Sequence, residues 1–419
     1  MKNFSIRHTV IITLAIFLIS CNHSAYEIGA TYPKWNEGEM EIHFISTGHG
    51  ESQFLILPDG TSMLIDAGDH DPKLYKKLSE ARPDSSRRSG EWIARYVKQR
   101  NPHKDKVDYL VVSHFHSDHM GLAEQNLNLK YSKDSSYILS GITEAGQTIR
   151  FAKVIDRGYP NYDKPIPVRY KEVDNYRIFI DEKAKEYGLK QEAFEIGSNR
   201  QFHLTKKPER YKNFTIQNLS ANGAVWNGTN VIDYFGADKR NTSGWINENS
   251  MSIGLLISYG KFDYLTAGDL TGHVFYGDSA KVDLAAKAAE MCQNVEICKM
   301  NHHGYKDAMS EKFVRTIRAE HYINSVWDQE HFQPNVLTRI FSDSINGHAG
   351  KVYVTNIPEV TQEKYKNEAW MQAIVPETGH IVVRVSEGGN QYTIYILTDE
   401  DESRKIKAIY GPFSVKSER

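Results

Sequence analysis

The chain has 419 residues, 40% of them apolar, and a formal net charge of −2 at pH 7. That is ample for one large domain or a domain with insertions. The near-neutral balance excludes a protein that lives by coating nucleic acid, so no strong general nucleic-acid binding is expected, although a local basic groove is compatible with it.

Met1 to Ser20 has the shape of a secretion signal. Lys2 and Arg7 precede the apolar stretch Thr9–Ile19, too short and too early for a membrane span. Leu18-Ile19-Ser20-Cys21 resembles a bacterial lipobox. The resemblance implies cleavage before Cys21, lipidation of that cysteine and a lipid anchor to the membrane; an uncleaved N-terminal anchor is the other reading. Both place the globular part outside the cytoplasm, and the first makes the chain a membrane-anchored lipoprotein of a bacterial cell envelope with residues 21–40 as a lipidated tether. Cys292 and Cys298 remain, the latter in a predicted strand over Val295–Met300, and both are expected as buried free thiols.

Downstream, Glu41–Ile45 alternates as a strand, and Gln53–Leu57, the turn Pro58-Asp59-Gly60 and Ser62–Asp66 form a hairpin. Glu91–Gln99 carries Trp92, Ile93, Tyr96 and Val97 at helical spacing. The apolar run Val107–Val112 follows as a buried strand. Residues 125–205 are the least regular, with an aromatic loop at Arg157–Tyr162 and a polar helical stretch near Lys171 to Lys185. Strands resume at Phe214–Ile216, Ser252–Ser258 and Phe262–Thr266, a helix near Leu284 to Cys292 precedes the strand through Cys298, and Ile381–Val385 pairs with Tyr392–Ile396 as a second hairpin. This order suggests two sheets with helices outside.

The chemistry is concentrated just after the buried strand, in Ser113-His114-Phe115-His116-Ser117-Asp118-His119. Three imidazoles and a carboxylate at the end of a rigid strand can be aimed at one point, as a transition-metal site requires. On the alternating pattern His114 and His116 point to the same side. Asp118 and His119 fall where the chain turns into a helix and can serve a second metal. Three further elements fit a dinuclear site. Asp66, before Ala67-Gly68, can fix the tautomer of a ligating histidine. Asp269, after Ala267-Gly268, can bridge two metals, a geometry suited to in-line displacement at phosphorus. His302 and His303, before Gly304, offer one ligand and one nearby acid or hydrogen-bond donor.

The ordered set Gly48-His49-Gly50-Glu51-Ser52, Pro58-Asp59-Gly60, Leu64–Gly68, His114–His119, Asn247–Ser250, Ala267–Asp269 and His302–Gly304 resembles the metallo-β-lactamase superfamily. It looks most like the branch of ComEC-type extracytoplasmic domains and phosphorylcholine esterases. The resemblance implies an α/β fold, the αββα sandwich, with an insertion and a C-terminal β-hairpin extension. The hydrolase domain would span 41–345 with its insertion at about 125–205, and 346–419 would be a β-rich extension packed on the same domain. It implies a hydrolase acting on phosphate esters through a dinuclear metal-bound hydroxide. His114 and His116 would hold one ion, Asp118 and His119 with His302 or His303 the second, and Asp269 would bridge. Zinc is the default for such ligands, manganese or iron being tolerated, and the substrate is expected in the envelope or outside the cell.

The chain departs from the branch in places. His49 and Glu51 replace its Gln and Asp. The third histidine of the first ion, expected between the first motif and Asp269, has no clear match; His203 is a candidate, and Asn222 lies near where that ligand often falls. Tyr159, Tyr162, Trp226 and Trp245 are candidates to line a cleft. Alternatives are a β-lactamase-like or other ester or amide hydrolase on the same fold, and a non-catalytic envelope binding protein on a metal-depleted one.

Overall fold

The structure, a computed structural model, describes residues 26–235, 247–272, 282–331 and 333–416. Cys21, the signal segment and Trp245 lie outside the described residues. The N-terminal half lays down β1 (Met40–Phe44), β2 (Gln53–Ile56), β3 (Ser62–Ile65), β4 (Lys106–Val112), β5 (Arg150–Asp156) and β6 (Lys190–Ala193). The next strands are β7 (Phe214–Ala221), β8 (Ala224–Trp226), β9 (Val231–Asp233), β10 (Gly254–Tyr259), β11 (Phe262–Thr266), β12 (Ile297–Lys299), β13 (His321–Asn324) and β14 (Lys351–Val354). The chain closes with β15 (His380–Val385), β16 (Gln391–Leu397) and β17 (Ile406–Ser414). One sheet has the order β17-β16-β15-β1-β2-β3-β4-β5-β6, the other β14-β13-β12-β11-β10-β7-β8-β9.

The period-two alternation of these strands makes three apolar layers. Met63, Ile65, Tyr109 and Val111 face the second sheet, where Ile216, Ile257, Tyr264 and Ile297 meet them. Their neighbours Leu64, Leu110 and Val112 point outward, under Ile93, Tyr96 and Val97 of the helix Ser89–Arg100 and Phe179 of the helix Lys171–Tyr187. On the far side, Leu265, Cys298 and Val352 lie under the helices Leu284–Ala289, Glu311–Ile317 and Pro334–Ile340. The result is the α/β sandwich with helices on both outer faces that the sequence order implies. Cys292 and Cys298 are buried and free.

Two segments are more integral than their sequence suggests. Within 125–205, β5 and β6 continue the first sheet in parallel beyond β4. Arg150 and Lys153 take the less buried positions of Arg150–Asp156, and the buried Asp156 ends it, which hides the alternation. Of 346–419, β14 belongs to the second sheet, while β15 pairs with β1 and so stands inside the first. The expected tether is also docked from residue 26 onward. Gly29 N–H donates to Ile406 O (2.8 Å) and Tyr32 N–H to Arg404 O (2.9 Å), and the Tyr32 ring lies between the Arg100 and Arg384 guanidinium groups at 4.7 and 4.8 Å. Among the described residues no helix is long and apolar enough to cross a membrane.

Candidate metal centre

Strands β3, β4 and β5 are parallel, as are β11, β12 and β13. The carboxyl ends of such strands are where open sheets gather functional side chains. Asp66 follows β3 in the left-handed region (φ 61°), a conformation Asp tolerates because its short side chain bonds locally. Its Oδ1 accepts Ser113 N–H (2.7 Å) and its Oδ2 lies 2.8 Å from His119 Nδ1. The turn helix Ser117–Met120 carries Asp118 and His119. Gly68 is needed here, because a Cβ would stand 1.7 Å from Asp118 O. Glu51 N–H and Ala67 N–H cap Asp118 O and His119 O at 2.8 and 2.9 Å, so the first glycine box and the Asp-Ala-Gly turn brace the histidine motif.

The second sheet supplies the opposite wall. Asp269 follows β11, and β12 leads into Asn301–Gly304, where His302 and His303 both take positive φ (43° and 49°). Two adjacent non-glycine residues in this region mark a strained turn, and such strain gathers at functional sites.

These turns bring seven predicted residues together. His303 Nε2 is 3.1 Å from Asp118 Oδ2 and 3.5 Å from Asp269 Oδ2; His119 Nε2 is 3.4 Å from Asp118 Oδ2 and 3.2 Å from Asp269 Oδ1. His114 Nε2 and His116 Nδ1 face each other at 3.1 Å, with Asp269 Oδ2 3.8 Å from the former. His302 Nε2 is 4.0 Å from the same oxygen and 3.1 Å from Asn249 Nδ2. Tetrahedral donors about 2.1 Å from one ion stand roughly 3.4 Å apart, so Asp118, His119, His303 and Asp269 are spaced as one coordination set. His119 Nε2 and Asp269 Oδ1 are buried with no hydrogen-bond partner among the described residues, an arrangement that costs free energy unless something fills it. The residues therefore fit a metal.

The electrostatics agree. Burial pushes the Asp118 and Asp269 carboxyls up, but His119 and His303 outweigh it and hold both well below the carboxylate range. Burial opposes charge on His119 and His303, yet the surrounding carboxylates, Asp269 foremost, raise His119 well above the ordinary value and His303 to about 9. His114, buried beside His119, is pushed well down.

Three imidazoles have a carboxylate behind Nδ1: Asp66 for His119 (2.8 Å), Asp307 for His302 (2.6 Å) and Glu51 for His303 (3.2 Å), where the Ser325 carbonyl lies at 3.1 Å on the same nitrogen. Each pairing turns Nε2 toward the cluster. Glu51 also lies with His119, Asp269 and His303 in a group whose donor atoms are within 4.8 Å of one another. It approaches His303 from the Nδ1 side and pairs with Lys299 at 3.0 Å, so it sits behind the donors, not among them. Asp307, Lys299 and Glu248 escaped the sequence reading. Their only signals were an acid three residues beyond Gly304, a lysine among apolar strand residues and an acid inside the Asn-Ser box.

Neither stand-in for the missing histidine joins the cluster. Asn222 Nδ2–H donates to Arg157 O and its Oδ1 accepts from Arg157 Nη1, while His203 sits beside Tyr109, its carbonyl accepting the phenol. His49 Nε2 lies 3.2 Å from Ser79 O. Of the aromatic candidates, Tyr162 donates to Asp156 (2.9 Å) and Trp226 packs over Gly197, so both are structural; Tyr159 is exposed. The aromatic rings beside the cluster are instead Tyr305, 5.3 Å from His302, Trp327, 5.5 Å from His303, and Tyr170, 6.0 Å from His116.

Residues 47–127 match the family model of the metallo-beta-lactamase superfamily. No curated protein matches the sequence. Among solved structures, unliganded yeast PDE1 is similar at 9% identity and a TM-score of 0.33, over 82% of this chain and 98% of that one. A mutant of the β-hydroxylase CmlA is similar at 13% identity and a TM-score of 0.33, over 82% of this chain and 49% of that one. Likenesses this loose say nothing of what the chain acts on.

Proposed function

We propose that the chain is a metal-dependent hydrolase that cleaves phosphate esters, in the manner of a phosphodiesterase. One observation carries the metal site: the four donors Asp118, His119, His303 and Asp269, spaced at 3.1–3.5 Å. His114 and His302 lie 3.8 and 4.0 Å from Asp269 Oδ2, with His116 beside His114, which supports a second set in which His302 takes the place of the missing histidine and each member of the His-His pair serves one ion. Divalent cations held there supply water activation near neutral pH and polarisation of the ester oxygen, and a close pair of them suits in-line displacement at phosphorus. The protein's own part is orientation. Asp66, Glu51 and Asp307 fix the three imidazoles, and Asp269 couples the two sets. Substrate enters past His116 and His302, the partly exposed members of the cluster. The motif order favours the ComEC-type and phosphorylcholine esterase branch, and the leader of residues 1–20 before Cys21 favours an envelope-anchored enzyme.

The test is elemental analysis of the purified protein with turnover of a chromogenic phosphodiester. About two zinc, manganese or iron ions per chain are expected, falling to about one in His302→Ala, with turnover lost by at least about 10²-fold in Asp118→Asn and Asp269→Asn. A protein that holds no metal even after loading sinks the reading. Turnover of a β-lactam and of no phosphodiester would move the function to the other hydrolase class.

A further inference from the structure

Lys299 ends β12 three residues before His302, with its side chain fully buried. Its ammonium donates to Gly268 O at 2.7 Å and stands 3.0 Å from Glu51 Oε2 and 3.6 Å from Asp269 Oδ1. A buried ammonium is tolerated only where such partners answer it. It thus separates two carboxylates that differ in one respect: Asp269 belongs to the donor set and Glu51 stands just outside it. Glu51 is also fully buried, and its donor atom lies within 4.8 Å of those of His119, Asp269 and His303. A carboxylate that near a hard or borderline cation is a competent ligand in its own right. What restrains it is the cation beside it, anchored by a backbone carbonyl.

We infer that Lys299 is a positioning residue that keeps Glu51 out of the metal's coordination set and commits it to His303 Nδ1. The inference rests on the metal-centre reading above. It defines the composition of the site: Asp118, His119, His303 and Asp269 bind, while Glu51 orients. Without the ammonium, Glu51 loses its ion pair and turns to the metal. Glu51 would then add a fifth carboxylate or imidazole donor to the four that would hold the ion.

Cobalt(II) titration of the full metal-free protein reads this, because visible absorption per cobalt is strong in four-coordinate sites and weak when a fifth or sixth ligand joins. Lys299→Met should lower that absorption several-fold and bind cobalt more tightly. Lys299→Met with Glu51→Gln should restore the wild-type intensity, and Lys299→Arg should keep it. Glu51→Gln alone should leave the intensity unchanged while weakening affinity roughly 10–100-fold, the usual cost of losing a ligand's outer partner. An unchanged spectrum in Lys299→Met overturns the inference. So does a changed intensity in Glu51→Gln alone, which decides the matter even where Lys299→Met fails to fold by circular dichroism. Wild-type protein that takes up no cobalt overturns the metal centre itself, whereas cobalt uptake with invariant spectra overturns only the role of Lys299.

Discussion

At the scale of single residues, the site is a set of histidines held at Nδ1 by acceptors on their far side, with the Ser325 carbonyl beside Glu51 at His303. Asp66, Glu51 and Asp307 each touch an Nδ1, and none of them needs to touch substrate to matter. A further buried acid lies in the layer behind them. Glu144 accepts Glu91 N–H at 3.2 Å, and burial, with the charge of Asp69, raises its pKa to about 7. Because this lies above the unfolded value near 4.5, the fold prefers the protonated carboxyl. That stabilisation is fully present below pH 4.5 and is lost as pH rises through about 7. The displacement is worth on the order of 3 kcal/mol. Glu144→Gln keeps the acceptor and removes the titration, so it should be more stable than wild type at pH 8 and no more stable at pH 4. Denaturant unfolding at the two pH values checks this, and equal midpoint shifts at both would refute it.

At the scale of elements, the histidine motif is held from across the sandwich. Glu248, in the turn before Asn249–Met251, accepts Phe115 N–H at 2.9 Å and Arg157 Nε–H at 2.6 Å, with Arg157 Nη2 closing the pair. Both side chains are almost fully buried. Removing one partner of such a pair strands the other's charge, at a cost of about 3–5 kcal/mol. Arg157→Met should therefore lower stability by that amount and loosen the loop carrying His114 and His116. Thermal unfolding measures the first effect and metal stoichiometry the second; a loss under about 1 kcal/mol would show the pair to be dispensable. The strand ends bearing Asp66, His114–His119, Asp269 and His302–His303 were legible in the sequence because period-two burial and ligand-rich turns are local signals. Arg157 and Glu248 were not, since nothing local says that residues 91 apart will share a hydrogen bond. The sheet membership of β5, β6 and β15 was hidden for the same reason: pairing partners are set by topology, and polar residues on exposed positions break the alternation that would announce a strand.

At the scale of the whole molecule, the donors are divided between the two sheets, so metal binding joins the halves of the sandwich. Asp118 and His119 come from the first sheet, Asp269 and His303 from the second. A ligand bound only by the folded form at 100 times its Kd stabilises by about 2.7 kcal/mol, and here that energy acts across the central interface. The proton is its competitor. In the metal-free protein the carboxylates hold His303 at about 9 and His119 well above the ordinary 6.5, so both keep protons through neutral pH. For His303 the sign follows from a raised folded value: its contribution to metal-free stability is full below 6.5 and disappears as pH rises through about 9. A metal takes the Nε2 positions those protons occupy. Loading at pH 7 should therefore release protons, the apparent affinity should climb with pH and level off above about 9, and the gap in unfolding temperature between loaded and metal-free protein should widen over the same interval. Calorimetric titration in buffers of different ionisation enthalpy counts the protons, and unfolding scans with and without chelator follow the gap. Affinity and gap that stay flat from pH 6 to 9 would mean that His119 and His303 are neutral before metal arrives, and that the carboxylates around them do not organise the site for a cation.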